Sequence, residues 1–333
     1  MAARRAPTGP VRERSFHAWL AAHLPAGHEG LLPLGDDAAA LRAPPGGVAV
    51  LSTDALVEGT HFLPGSPPER IGGAAAAVTL SDLAAKGSRP AAILLALVVP
   101  VGTPGVWVAA IARGAERMAA RHGAHVVGGD TKPGPVRTIV SAGLGWGHAG
   151  RLAPRTNARP GDVLLHTGVV GRGGWAAERL GEGPAHRRRA LAALLDVRPR
   201  VAEGLVLAPL AHAMLDTSDG LAEATRLLAE ASGARVVVDE RRLPFAPGIR
   251  GHSYSNARRR AIAFYGGDYE LLAAVPPAAV NRAVARVRAV GGRLTPIGRV
   301  ERGRGAWLSH DRALEPMPRP GWRPFESSRR DRR

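Results

Sequence analysis

The sequence predicts a two-domain α+β protein, and three observations carry that prediction. The chain has 333 residues, more than a single core usually organises. Both halves alternate short β-branched apolar runs with alanine-rich helical segments. Between them, Arg151 to Asp162 is rich in Pro, Arg, Asn and Gly, the composition of a domain boundary. The expected organisation is a first domain over 15–151 and a second over 152–326, with basic arms at 1–14 and 327–333 that read as disordered.

Ser15 to Leu24 reads as a short helix. Val48 to Leu51 is a β-type run ending in Ser52-Thr53-Asp54, which would put a carboxylate and two hydroxyls where a strand meets solvent. Ile71 to Lys86 is helical, stopped by Gly87 and Pro90. Ser81 and Asp82 favour caps over helix interiors, so their place in its last turns points to a task beyond propensity. Ile93 to Val99 is a buried-type strand, and Thr103 with Pro104 suits the N-cap and first position of a helix to about His122. Val126-Val127 delivers Gly128-Gly129-Asp130-Thr131, a strand end where backbone could approach a phosphate. Val136 to Gly147 is a strand. Gly145 to Gly150 satisfies G-x-G-x-x-G in form only, because Pro154 and Pro160 follow where that fingerprint needs a helix.

The second half opens with strand Val163 to Thr167, a glycine-rich loop and a helix from about Trp175. Ala213 to Leu215 feeds Asp216-Thr217-Ser218-Asp219-Gly220, followed by a helix to Ser232. Arg235 to Asp239 is a strand, Leu243 to Arg260 is irregular, and Gly266-Gly267-Asp268-Tyr269-Glu270 opens the next strand. A helix over Pro277 to Val290 and strands at Leu294 to Val300 and Ala306 to Ser309 close the chain.

A net charge of +17 would ordinarily raise nucleic acid as a partner. Lys86 and Lys132 are the only lysines, leaving 45 − 2 = 43 arginines, scattered among 42 glycines and 28 prolines. That pattern reads as compositional bias, and 4% aromatics offer little for base stacking, so no nucleic-acid partner is expected. The absence of cysteine excludes disulfides and thiolate chemistry and agrees with a cytoplasmic setting. No apolar run reaches the length of a membrane span, and the basic N-terminus leads into no apolar segment.

Carboxylates thus recur beside Ser, Thr or Gly at the expected element ends: Asp37, Asp54, Asp82, Asp130, Asp216 and Asp219. Hard oxygen donors in this number suit a cleft for several Mg²⁺ ions and a nucleotide polyphosphate. Neither lysine follows a glycine, so no G-x-x-x-x-G-K-[ST] loop exists and the nucleotide chemistry needs another architecture.

Gly35-Asp-Asp-Ala-Ala, Ser52-Thr-Asp-Ala-Leu-Val-Glu-Gly-Thr-His-Phe62, Leu80-Ser-Asp-Leu-Ala-Ala-Lys-Gly87, Gly128-Gly-Asp-Thr131, Asp216-Thr-Ser-Asp-Gly-Leu221 and Gly267-Asp-Tyr-Glu-Leu271 follow one another in an order that resembles the thiamine-monophosphate kinase family, within the aminoimidazole ribonucleotide synthetase-like ATP-binding superfamily. The resemblance spans roughly residues 15 to 325. It implies an N-terminal mixed sheet that pairs in a homodimer, a C-terminal α/β sandwich, and transfer of the ATP γ-phosphoryl group to thiamine monophosphate. It further implies Mg²⁺ at Asp37, Thr53, Asp54, Asp82, Asp130, Asp216 and Asp219, ATP at Gly129, Asp130, Arg155 and Ser218, and thiamine monophosphate at His61 and Trp322. No residue is expected to act as acid or base. The chain departs from the family at Gly267, where a substrate-contacting glutamate is usual, and at Lys86, where methionine is usual. A relative with the same nucleotide site and a different acceptor, or a non-catalytic nucleotide- or RNA-binding relative, are the readings left open.

Overall fold

The computed structural model describes residues 41–311 and 313–318, together with Gly9, Trp19, His23, Ala38 and Ala39. Asp37 and Trp322 lie outside the described residues, as do most of the expected helix over 15–24 and all of the basic tail. The chain divides into two compact units. One comprises residues up to Pro154 with Leu180–Leu210, and the other Arg155–Arg179 with everything from Ala211 on. Both are α+β.

In the first unit, β1 (Val48–Val57), α1 (Pro68–Ala85), β2 (Arg89–Val99), α2 (Gly105–Ala120), β3 (His125–Pro133) and β4 (Thr138–Gly147) follow in order. The sheet is ordered β1-β4-β2-β3 and is mixed: β4 is antiparallel to β1 and β2, while β2 and β3 are parallel. The alanine-rich α1 starts at Pro68 with Glu69 in its first turn and stops at Gly87, whose φ of +69° is left-handed. It buries Ile71, Leu80 and Leu83 completely or nearly so against the sheet. Its crossing with α2 is backbone-close: a Cβ on Gly72 would lie 1.9 Å from the Ile111 oxygen, and one on Gly114 would lie 2.0 Å from the Glu69 oxygen. Beneath α1, Ser141 Oγ donates to the Ala75 carbonyl at 2.5 Å and Thr79 Oγ1 to the Ser141 carbonyl at 3.3 Å.

Three expectations need correction here. Strand β1 does not end at Ser52 but runs on to Val57, and β3 does not end at the glycines but continues to Pro133. Asp54 and Asp130 are therefore strand-interior residues. Cross-strand pairing with β4 and β2 supplies the hydrogen bonds that Ser, Thr, Asp and Gly would otherwise seek in turns. Helix α2 starts one residue later than expected, with Pro104 at the N-cap, because Thr103 Oγ1 is engaged with the Pro100 carbonyl at 2.7 Å.

The second unit carries β5 (Val163–Thr167) and α3 (Arg172–Glu178). The next helices, α4 (Pro184–Leu194) and α5 (Val201–Leu207), belong to the first unit. There Gly204 of α5 allows close approach to α1, since a Cβ would lie 2.2 Å from the Ala84 oxygen. The second unit resumes with β6 (Ala213–Asp216), α6 (Leu221–Ser232), β7 (Arg235–Asp239), α7 (Pro247–Arg250), α8 (Asn256–Ala263), β8 (Leu271–Val275), α9 (Val280–Ala289), β9 (Leu294–Glu301), β10 (Gly305–His310) and β11 (Ala313–Pro316). Seven strands are ordered β11-β10-β7-β9-β5-β8-β6, with only β7 and β10 parallel. The segment expected to be irregular contains α7 and the start of α8, and β11 adds a terminal hairpin absent from the expectation. Strand β8 begins at Leu271, so Gly266 to Glu270 form a loop before it. Leu221, Leu228, Val236, Val238, Phe264, Leu272 and Ile297 centre one buried core.

Candidate active site

The described residues expected to form the site are divided between the two units. In the first unit, strand alternation puts Ser52, Asp54 and Leu56 of β1 on the face covered by α1, and Leu51, Thr53 and Ala55 on the other. Ser52 Oγ donates to Asp82 Oδ2, joining β1 to the last turn of α1. That bond gives Asp82 a partner across the fold within the helix. Asp54 pairs across the ladder with Ser141, two residues along from Ser52, which meets Asp82. Thr53 Oγ1 donates to the Ser141 carbonyl at 3.1 Å.

The row Asp54, Ser141, Leu95, Gly129 crosses all four strands. At normal strand spacing this places Asp54 and Asp130 on opposite edges of the sheet, roughly 14 Å apart. The register puts Asp54 on the face where Ser52 meets Asp82 and leaves Asp130 on the far edge. Gly129, with φ +157°, lies against β2, where a Cβ would meet the Leu95 oxygen at 1.8 Å. Asp130 Oδ1 accepts from the Thr131 amide at 2.8 Å and pairs with Lys132 Nζ at 2.9 Å, on side chains that are both about half exposed. His61 sits in the turn after β1. Its Nδ1 accepts from the Val57 amide at 3.1 Å, and loss of water around the ring lowers its pKa.

In the second unit, Asp216 ends β6 and Ser218 Oγ donates to its Oδ1 at 3.0 Å. The Asp216 to Gly220 loop is closed by the Gly220 amide on the Thr217 carbonyl at 3.0 Å. Thr217 is buried and exchanges bonds with Glu270: its amide donates to the Glu270 carbonyl at 2.8 Å and the Glu270 amide to its Oγ1 at 3.1 Å. Arg155 extends an exposed side chain, and its carbonyl accepts from Ser232 Oγ at 3.3 Å. Gly267 has φ +78° and donates its amide to the Ser218 carbonyl at 2.7 Å.

Sequence reasoning missed Ser52 as the partner of Asp82, Lys132 as the partner of Asp130, and the buried pair Asp268 and Glu270. Strand alternation could have put Ser52 on the face of Asp54, but only the folded register brings it to Asp82. Asp268 carried no signal beyond its glycine neighbours.

Family models match the chain as the N-terminal domain of AIR synthase related proteins over residues 35–148 and as their C-terminal domain over 159–309. A thiamine-monophosphate kinase of Synechococcus elongatus is 36% identical over 75% of this chain and 82% of its own length. One from Halobacterium salinarum is 38% identical over 80% and 87% respectively.

The chain belongs to the thiamine-monophosphate kinase family.

The crystal structure of the thiamine-monophosphate kinase from Stenotrophomonas maltophilia superposes with a TM-score of 0.77 at 31% identity, over 86% of this chain and 93% of that one. AaThiL complexed with AMPPCP and TMP superposes at 0.73 and 27% identity, over 84% and 88%. Hydrogenase maturation protein HypE, at 21% identity and a TM-score of 0.71, shares the fold alone.

The donors present suit the Mg²⁺ that the sequence resemblance implies. Asp54, Asp82, Asp130, Asp216 and Asp219 offer carboxylate oxygens, with hydroxyls at Ser52 and Ser218 beside them. Among the described residues no three histidine or carboxylate side chains form a metal-binding group. Mg²⁺ is usually held by one or two carboxylates plus water and phosphate oxygens, and the pairs present fit that requirement.

Proposed function

We propose that this chain is a thiamine-phosphate kinase, transferring the γ-phosphoryl group of ATP to thiamine monophosphate to give thiamine diphosphate and ADP. The observation that carries the reading is likeness, over most of their length, to relatives named as thiamine-monophosphate kinases. A structural neighbour complexed with AMPPCP and TMP supports the same pair of substrates. No membrane-crossing helix occurs among the described residues, and we place the protein in the cytoplasm.

The acceptor is a phosphate monoester, mostly ionised at neutral pH with a second pKa of about 6, so the reaction needs no strong general base. Two polyanions must converge, and catalysis is positioning with charge neutralisation. Asp54 and Asp82 in the first unit, Asp130 on β3, and Asp216 and Asp219 in the second unit would hold Mg²⁺, together with Asp37 and the Thr53 position. Bound there, Mg²⁺ supplies neutralisation of phosphate charge. Gly129 gives the polyphosphate access to backbone, while Arg155 and Ser218 contact ATP. His61 and Trp322 receive thiamine monophosphate.

The chain acts as a homodimer in this reading. Support comes from the sheet face not covered by α1, where Leu51 is 75% and Leu94 43% exposed beside Ala92, Ala142 and Leu144. A second reading keeps the nucleotide site and changes the acceptor. It is favoured by one observation: Gly267 occupies a left-handed conformation that the usual glutamate would adopt only with strain.

The test is ADP release and direct detection of thiamine diphosphate from purified protein with ATP and Mg²⁺, with and without thiamine monophosphate. Product formation that requires both substrates is expected. ATP hydrolysis indifferent to thiamine monophosphate would move the assignment to another acceptor. Asp54→Asn is expected to fold normally and to lose activity by about two orders of magnitude, the scale of a lost electrostatic contact to the transferring group.

A further inference from the structure

Three loops of the second unit meet around two buried carboxylates that the proposed chemistry does not use. Asp268 is 2% exposed and accepts from the Gly171 amide at 2.6 Å (Oδ2) and the Gly173 amide at 2.9 Å (Oδ1). Arg172 donates to its carbonyl oxygen at 3.4 Å. Glu270, equally buried, accepts from Thr167 Oγ1 at 2.7 Å, and its main chain is locked to Thr217 by the bonds described above.

Beside these side-chain bonds, the loops also approach one another backbone on backbone at their glycines. A Cβ on Gly173 would lie 2.1 Å from the Gly266 oxygen. One on Gly220 would lie 2.9 Å from the Phe264 oxygen, and one on Gly266 would lie 3.1 Å from the Ser218 oxygen. With so little space at the glycines, and with the Asp268 carboxylate and Thr217 Oγ1 bonded across the gaps, the 171–173, 216–220 and 266–270 loops are tied to one another. The Gly267 amide on the Ser218 carbonyl completes the link.

We propose that Asp268 is a positioning residue for the nucleotide: by clasping the Gly171 and Gly173 amides it holds Gly266 and Gly267 against Ser218 and Asp219, and so sets the loop that receives ATP. The inference rests on the nucleotide role given to Ser218 and Asp219 above. Asp268 touches no substrate. Its effect is transmitted through three residues of backbone, and a carboxylate is required because both oxygens accept. An asparagine would turn an amide NH₂ toward one of the two N–H groups and leave that donor unsatisfied.

The test measures binding of a non-hydrolysable ATP analogue with Mg²⁺ to full-length wild type, Asp268→Asn and Gly266→Ala, with thermal melting as the folding control. Gly266→Ala keeps Asp268 but presses a methyl group onto the Ser218 and Asp219 backbone. The expected result is a rise in Kd of about tenfold in Asp268→Asn, and a rise also in Gly266→Ala, among the folded molecules. A purely structural role would lower the melting temperature and leave the Kd unchanged. An unchanged Kd in folded Asp268→Asn overturns the proposal. If that variant does not fold, an unchanged Kd in Gly266→Ala overturns it instead. A wild-type chain that binds no analogue overturns the nucleotide reading and the clasp with it.

Discussion

Asp268 also has a titration consequence. Burial pushes its carboxyl from 3.8 up to about 6. The Gly171 and Gly173 amides and Arg172 oppose that rise, and Glu270 adds to it. The folded pKa lies above the unfolded one, so at neutral pH the carboxylate is still ionised and accepts both amides, but keeping it ionised in the fold costs about 3 kcal/mol relative to the unfolded chain. Stability contributed through this group therefore falls as pH rises from about 4 through about 6. Urea unfolding of wild type and Asp268→Asn should show wild type gaining about 1 kcal/mol relative to the variant between about pH 7 and pH 5. Identical pH dependence in the two proteins would refute it. Gly267 allows a second residue-scale prediction. A Cβ there would find its nearest neighbour, Gly173 Cα, at an ordinary 3.5 Å, but φ +78° strains any other residue. Gly267→Glu should lose about 1 kcal/mol of stability and lower KM for thiamine monophosphate. Turnover of that substrate falling with no gain in KM would point to a different acceptor pocket.

Helix α1 is the element on which the first unit turns, and two adjacent glycines in it separate fit from propensity. Gly72→Ala drives a methyl group into the Ile111 carbonyl and should cost about 3 kcal/mol. Gly73→Ala meets only the Gly114 oxygen at 3.5 Å and should be neutral or stabilising, because alanine is the better helix former by about 1 kcal/mol. Thermal melts of the two variants decide this, and equal losses would contradict the crossing geometry. The helix itself was legible from its alanines and its glycine stop, though it starts at Pro68, three residues before the expected Ile71. The lengths of β1 and β3 were not. Ser52-Thr53-Asp54 and Gly128-Gly129-Asp130 have turn composition, and only the neighbours 88 and more residues along the chain or on an adjacent strand hold them extended. The carboxylates of the candidate site were visible one by one through their hydroxyl and glycine neighbours. The partners that fix them, Ser52 for Asp82 and Lys132 for Asp130, required the folded register or the strand.

At the scale of the molecule, the apolar face of the first sheet opposite α1 predicts assembly. Leu51→Asp would place a charge in the centre of an apolar patch and should convert a dimer to monomer in light scattering behind size exclusion. A dimer that survives the change would put its interface elsewhere. The lysines carry a different consequence. In a chain with 43 arginines, ammonium groups occur on side chains only at Lys86, whose Nζ donates to the Ala153 carbonyl at 3.3 Å, and at Lys132 on Asp130. Arginine is inert to mild acylation at neutral pH, whereas the small neutral fraction of a lysine amine is not, so the protein's side chains carry a two-point chemical label. The rate at which Lys132 is acylated then reports whether Asp130 has exchanged that ammonium for another cation, with no change to the sequence.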